Sequence, residues 1–305
     1  MLNQCCIFFT LLFSFVYAAY PSPGPCSGQC WAHDPSLIRR KDGTWFRFNT
    51  GNKIGIWKSR SLSGPWEYAG DAFREGSSIP IKGNDFLWAP DVQFIDSKYY
   101  MTYSVSIFGS KNSAIGVATS PDMEPGSWTD LGSTALQSSE ITPYNAIDSS
   151  TIMAGSGDHC LMTFGSFAGG IFQVPLSNPP TKIESNGKIK KLAHNTHGSP
   201  TGEGSYMFHH RGYYYLLYSV GRCCGYNEKM PARGEEYRIV MCRSKSPSSG
   251  FVNMKGADCA EHGGSTLLAS HGDVYGPGGQ CHNHEIWAII ALLPLCKSKD
   301  KNDGW

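Results

Sequence analysis

The sequence predicts an all-β fold of the propeller type, and three observations carry that expectation. Acidic residues open four similar units at nearly constant spacing. The runs between them alternate apolar and polar side chains and are rich in aromatics, and no convincing helical period intervenes. Composition agrees, because 35 Gly and 18 Pro supply turns while 15 Tyr, 15 Phe and 8 Trp favour strands over long helices.

The first unit starts at Asp34 in WAHDPSLI, continues through TWFRFNT and IGIWKSRS, and closes on the turn LSGPW at Leu62 to Trp66. The second starts at Asp91 in LWAPDVQFI, passes through YYMTYSVS and AIGVATS, and closes on EPGSW at Glu124 to Trp128. Asp148 in NAIDSSTI opens the third, followed by HCLMTFGSF and GIFQVPLS. Glu203 in TGEGSYMF opens the fourth, followed by GYYYLLYSV, YRIVMCRS and SPSSGF. These acids lie 57, 57 and 55 residues apart, and each unit has room for about four short strands, as a propeller blade does. A β-sandwich is the rival fold, but it does not require a constant unit length with an acid at one phase.

Residues at one repeat phase of a propeller converge on the central channel, so Asp34, Asp148 and Glu203 are expected to meet there. Carboxyl groups in that arrangement suit glycosidic cleavage, in which one group donates a proton to the leaving oxygen while another activates water or attacks carbon. A third acid nearby raises the donor's pKa by like-charge repulsion. The alternative is that acids at strand starts only cap turns. Asp91 shares the repeat phase.

With 26 Lys and Arg against 25 Asp and Glu, the chain carries no electrostatic footprint for nucleic acid, and a neutral substrate is expected. The N-terminus has an apolar run from Ile7 to Val16 followed by Ala18 and Ala19, which predicts a secretory signal over residues 1–18 and an extracellular protein. Removal of Cys5 and Cys6 with it leaves nine cysteines, hence at least one unpaired thiol. Adjacent Cys223 and Cys224 could form a vicinal disulfide or stand as two separate buried thiols.

The motifs HDPS (His33 to Ser36), LWAPDV (Leu87 to Val92), FGSKNSAIGVATS (Phe108 to Ser120), NAIDSS (Asn145 to Ser150), GEGSYM (Gly202 to Met207) and VYGPGGQ (Val274 to Gln280) resemble those of the glycoside hydrolase family 43 endo-arabinanases, the fungal members most closely. The resemblance covers about residues 31 to 280. It implies a five-bladed propeller that cleaves the α-1,5-L-arabinan side chains of pectin with inversion. Asp34 then matches the general base, Glu203 the general acid and Asp148 the group that modulates the acid's pKa, while Asp91, by the same resemblance, is not one of the catalytic three and is read as structural. Inversion would set Asp34 and Glu203 roughly 6.5–9.5 Å apart, to leave room for water.

Trp88, Phe108, Asn145, Ile147, Ser166 and Phe167 are the candidate sugar contacts, Trp88 as a stacking platform or, alternatively, a core residue. Ala168 departs from the family, which commonly has an aromatic residue after the Ser-Phe pair. His209 and His210 fall at a hairpin turn, where a solvated loop is expected rather than a metal site, and His271 is a minor channel candidate.

A fifth unit is expected to open near Val274, yet after Gln280 the chain reads CHNHEIWAIIALLPLCKSKDKNDGW and leaves the family pattern. The fifth blade is therefore expected to be truncated or replaced, with residues 19–280 as the catalytic propeller and 281–305 as a divergent tail. No cofactor is needed for the chemistry. The family's channel ion, calcium or sodium, lacks its expected His in a strand context here. Cys281, His282, His284 and Cys296 are a poor match to zinc spacing, and the apolar run Ile286 to Leu295 is half of what a membrane span needs. A monomer acting on arabinan, with no nucleic-acid or membrane partner, is expected. The rival functions are exo-cleavage of arabinofuranosides or xylosides, and sugar binding without turnover.

Overall fold

The structure, a computed structural model, describes residues 20–155, 159–196, 202–282 and 289–290. The expected signal segment, His284 and Cys296, and almost all of the expected tail, lie outside the described residues. Each of the four sequence units folds as a four-stranded antiparallel sheet in simple up-and-down order. The first blade is β1 (Ser36–Arg39), β2 (Trp45–Asn49), β3 (Gly55–Ser59) and β4 (Glu67–Asp71), and the second is β5 (Trp88–Ile95), β6 (Lys98–Val105), β7 (Ala114–Ser120) and β8 (Thr129–Gln137). The third is β9 (Ser150–Ala154), β10 (His159–Ser166), β11 (Gly170–Leu176) and β12 (Lys190–Ala193). The fourth is β13 (Gly202–His210), β14 (Tyr213–Val220), β15 (Arg238–Ser244) and β16 (Ser265–Leu268), with one helical turn, α1 (Cys259–His262), before its outer strand. The predicted hairpin at His209 and His210 is present: His210 pairs with Tyr213 across Arg211 and Gly212, both at positive φ.

The blades stick together through apolar faces rather than through strand pairing. Phe46, Phe48 and Ile56 of the first blade pack with Val92, Met101 and Tyr103 of the second. Ile115 and Leu136 of the second join Met162, Phe164 and Val174 of the third, and Ile152, Leu161 and Ile171 of the third meet Leu216, Tyr218 and Val240 of the fourth. Arg47 is fully buried in the first blade, where its guanidinium lies over the Trp57 and Trp66 rings and donates to the Gln29 carbonyl at 2.8 Å. Burial lowers the Arg47 pKa to about 10.

Between the fourth and first blades lies a two-residue strand, β17 (Cys281–His282), paired with β18 (Ile289–Ile290). β17 packs against β1 and β13, and buried Cys281 joins Leu37 and Trp45 to Tyr206 and Leu217. The repeat phase therefore resumes at Gly279, later than the Val274 expected from spacing, because residues 269–278 still belong to the loops that follow β16. His282 does lie in a strand, contrary to expectation.

Disulfides join Cys26 to Cys30, Cys223 to Cys224 and Cys242 to Cys259, which decides for the vicinal bond, while Cys160 and Cys281 are buried and take part in none of these disulfides. Among the described residues no helix is long and apolar enough to cross a membrane.

Candidate active site

A shared backbone kink places the acids. Asp34, Ala89, Asp148, Gly204 and Gly279 all have positive φ, between 41° and 58°, just before the inner strand of a unit or within its first residues. This kink turns the chain from the approach loop into the channel wall, and it costs a residue with a side chain more than it costs glycine. Asp34 and Asp148 occupy the kink itself, and Glu203 directly precedes it.

Asp91 lies two residues past its kink, so its equal spacing from Asp34 and Asp148 does not mean an equal phase. It is buried in β5 and accepts hydrogen bonds from the Thr151 amide (2.8 Å) and Thr151 hydroxyl (2.7 Å), tying the second blade to the third. Its predicted structural role stands, and the predicted shared phase does not.

Hydroxyl groups on or just after the second strand of one blade hold the kink of the next. The Ala89 amide donates to Thr50 Oγ1 at 2.7 Å, the Asp148 amide to Ser104 Oγ at 2.9 Å, and the Gly279 amide to Ser219 Oγ at 3.1 Å. The third blade has Gly165 at the matching place, where a Cβ would come within 2.2 Å of the Gly170 carbonyl oxygen, so no side chain fits. The Gly204 amide instead donates to Asp148 Oδ2 at 3.1 Å. A missing hydroxyl thus leaves one kink amide for an acid of the site.

Asp34 accepts from Thr50 Oγ1 at 2.9 Å, and His33 Nε2 lies 3.3 Å from the same carboxylate oxygen. Tyr237, fully enclosed, donates from its hydroxyl to Glu203 Oε1 at 2.9 Å. Burial is the largest cause that raises Glu203, to about 7; the charge on Asp34 raises it further, while Tyr237 and His33 oppose the rise. Asp148 is raised well above the usual carboxylate range by burial first, then by Asp34 and Glu203. The three carboxyl groups therefore sense one another, and Glu203 is poised to hold a proton near neutrality.

The segment Gly276 to Gln280 closes this cluster. A Cβ on Gly278 would fall 1.9 Å from the Tyr237 ring, and one on Gly279 would lie 3.3 Å from Asp34 Oδ1. Gln280 is buried, accepts from Ser219 Oγ at 2.8 Å and donates to the Gly204 carbonyl. Beneath lies a cavity of about 40 Å³ lined by Asp34, Asp91, Asp148 and Gln280 among others, room for a water or two. Among the described residues no group of three or more His, Cys, Asp or Glu side chains is placed to hold a metal ion.

None of the six predicted sugar contacts lines that cavity. They belong to the loops and strand ends on the same face. Asn145 and Ser166 are brought together, Asn145 Nδ2 donating to Ser166 Oγ at 3.0 Å, both buried. Ile147 is buried next to Asp148, and its carbonyl accepts from the Gly165 amide at 2.9 Å. Trp88 is half-buried at the start of β5, opposite Ser104. Phe108 (75% exposed) and Phe167 (45%) stand free on the β6–β7 and β10–β11 turns, as platforms for a sugar chain would. His271 instead bonds the Ala269 and Pro21 carbonyls, at 2.8 and 2.9 Å, which makes it a tie between loops.

Sequence reasoning missed Tyr237, His33, Thr50 and Gln280. His33 and Thr50 flank recognised strands and could have been found from the kink pattern. Tyr237 enters from the long β14–β15 loop and carries no periodic signal.

Raising a carboxyl pKa has a signed effect on stability. The unfolded chain loses the Glu203 proton around the unperturbed value of 4.5, the native chain only around 7. The contribution is therefore nil below the lower value, grows unfavourable as pH rises between them, and stays constant above, at about 3 kcal/mol. Glu203→Gln is expected to raise Tm near pH 8 and leave it unchanged near pH 4. Equal shifts at both pH values in a melting series would reject the raised pKa.

Three neighbouring carboxyl groups at the channel mouth of a propeller, one of them protonated near neutrality, define the class of a glycoside hydrolase. The chain belongs to glycosyl hydrolases family 43, whose profile matches residues 28–284. It is 52% identical over 271 residues to arabinan endo-1,5-alpha-L-arabinosidase A of Aspergillus niger, covering 88% of this chain and 83% of that one. The Aspergillus aculeatus protein of the same name is 49% identical over 263 residues, covering 86% and 80%. Among solved structures, native Bacillus subtilis arabinanase matches with TM-score 0.73 and 29% identity, covering 83% of this chain and 86% of that one. Cellvibrio cellulosa alpha-L-arabinanase complexed with arabinohexaose matches with TM-score 0.72 and 28% identity, covering 82% of each.

Proposed function

We propose that this protein is an inverting endo-hydrolase of α-1,5-linked arabinan, with Glu203 as general acid, Asp34 as general base and Asp148 as the group that keeps Glu203 protonated. One observation supports this assignment above the rest: Glu203 alone of the three carries a tyrosine hydroxyl bond together with a pKa near 7. An acid titrating there can donate a proton at neutral pH and be recharged after each turnover. Asp34, held by Thr50 and beside His33, has 29% of its side chain exposed, which suits a group that takes a proton from water.

The reaction runs in one displacement. Asp34 removes a proton from water as the water attacks the anomeric carbon. The bond to the leaving oxygen breaks as that oxygen takes the Glu203 proton, and the configuration at carbon inverts. Asp148 stays uninvolved in bond making; it accepts from the Gly204 amide, and repulsion between its charge and that of Glu203 disfavours ionising both together.

The catalytic unit is read as a monomeric five-bladed propeller, with β17 as the inner strand of the fifth blade. It is read as secreted, a compartment consistent with three disulfides. Debranched linear arabinan is the substrate that tests the function. Mixed oligosaccharides early in the reaction are expected; release of arabinose alone would replace endo by exo action, and bound but uncleaved polymer would leave a binding propeller.

A further inference from the structure

Glu203 is held by Tyr237, and Tyr237 is held by something the reaction scheme does not use. The β14–β15 loop doubles back on itself: the Arg222 amide donates to the Glu235 carbonyl at 2.9 Å, and Arg222 pairs as an isolated bridge with Glu236. Across this loop stands Tyr226, buried to 5% exposure. Its hydroxyl donates to the Arg222 carbonyl at 2.5 Å and accepts from the Tyr237 amide at 2.9 Å. Its ring meets Tyr275 edge-on at 5.8 Å, and Gly276 lies so close that a Cβ there would come within 2.5 Å of the hydroxyl.

The near side of the strut is fixed covalently. Cys223 and Cys224, bonded to each other, follow Arg222 directly, and Arg222 Nε donates to the Cys224 carbonyl at 3.1 Å. A vicinal bond removes torsional freedom from two consecutive residues, so the Arg222 carbonyl presents one geometry to Tyr226. The path from the disulfide to the acid then has four physical links: the Arg222 carbonyl, the Tyr226 hydroxyl, the Tyr237 amide, and the Tyr237 hydroxyl on Glu203 Oε1.

We infer that Tyr226, braced by the Cys223–Cys224 turn, is a positioning residue that fixes the Tyr237 hydroxyl on Glu203 and so tunes the acid of the reaction. This rests on the assignment of Glu203 as general acid. The Tyr237 bond favours ionised Glu203, so weakening it makes the carboxyl a weaker acid. Groups facing Glu203 from the packed elements are Asp34 and His33 before β1, Asp148 before β9 and Tyr237 before β15, and each is left in place by a Tyr226 substitution.

The test is the pH profile of kcat on debranched arabinan for the wild type, Tyr237→Phe, Tyr226→Phe, and the two together. Tyr237→Phe should move the alkaline limb to higher pH. Tyr226→Phe should move it in the same direction by a smaller amount, lower kcat about 10-fold through misplacement of the proton donor, and leave KM within about two-fold. The double variant should match Tyr237→Phe, because both act through one bond. A Tyr226→Phe protein with lower Tm but an unmoved limb and kcat, or additive effects in the double variant, would overturn the inference. Should Tyr226→Phe fail to fold, the pair Cys223→Ser with Cys224→Ser is measured instead, and an unmoved limb there overturns it too. An inactive wild type would defeat the proposed function itself, a result separate from either of these.

Discussion

Glu203→Gln lowers kcat on linear arabinan by about a thousand-fold, because the variant keeps the shape of the side chain and cannot donate the proton that the leaving oxygen needs. The loss depends on the leaving group. An aryl arabinofuranoside whose phenolate departs without protonation should lose far less, whereas Asp34→Asn should lose about a thousand-fold on both substrates, since water must be activated in either case. Asp91→Asn is the matched control. It alters a buried carboxyl that binds Thr151 and lies two residues beyond the kink, so stability falls and the chemistry persists. Wild-type-like kcat in Glu203→Gln on arabinan, or a thousand-fold loss in Asp91→Asn at unchanged stability, would break the assignment. In the wild type, activity should decline as pH rises through about 7, where Glu203 gives up its proton.

Gly278→Ala should impair fold and catalysis together. The added methyl would lie 1.9 and 2.0 Å from two carbons of the Tyr237 ring. That ring cannot step aside freely, because its hydroxyl bonds Glu203 and its amide bonds Tyr226. The glycine's own segment is pinned by buried Gln280. Overpacking of this kind costs about 1–3 kcal/mol, read as a lower urea midpoint at constant m, and the displaced Tyr237 should cut kcat as well. Gly212→Ala, at a hairpin tip where no atom lies within 4 Å of the place an added methyl would take, separates crowding from backbone strain: its φ of 77° penalises stability without touching kcat. Full activity in Gly278→Ala would show that the closing segment does not support the acid.

The propeller was legible because its signals are local and repeated. Strand runs such as Tyr213–Val220 and the turn at Arg211 and Gly212 carry their structure in a few adjacent residues. Equal spacing was a weaker guide. It placed Asp91 with Asp34 and Asp148, while the backbone shows the kink at Ala89, because β5 and β13 each absorb a register shift that spacing cannot reveal. The same irregularity sets Glu203 one residue ahead of its kink, at Gly204.

Much of the candidate site was out of reach for a different reason. Tyr237, Gln280 and the Gly204 amide gain their roles from contacts across 34 to 76 residues of chain, those of Gln280 and Gly204 between blades. Gly165 is the clearest case: what matters there is the hydroxyl that its neighbours in other blades possess and it lacks. The vicinal cysteines were visible as a pair, but their place beside the Tyr226 strut was not.

A single displacement, with Asp34 and Glu203 on opposite sides of the scissile bond, is the central claim, and its most direct test is proton NMR of linear α-1,5-arabinan during the first minutes of hydrolysis. The new reducing ends should appear first as the β-anomer and reach the equilibrium mixture only by mutarotation; α-anomer appearing first would mean a double displacement and contradict these roles.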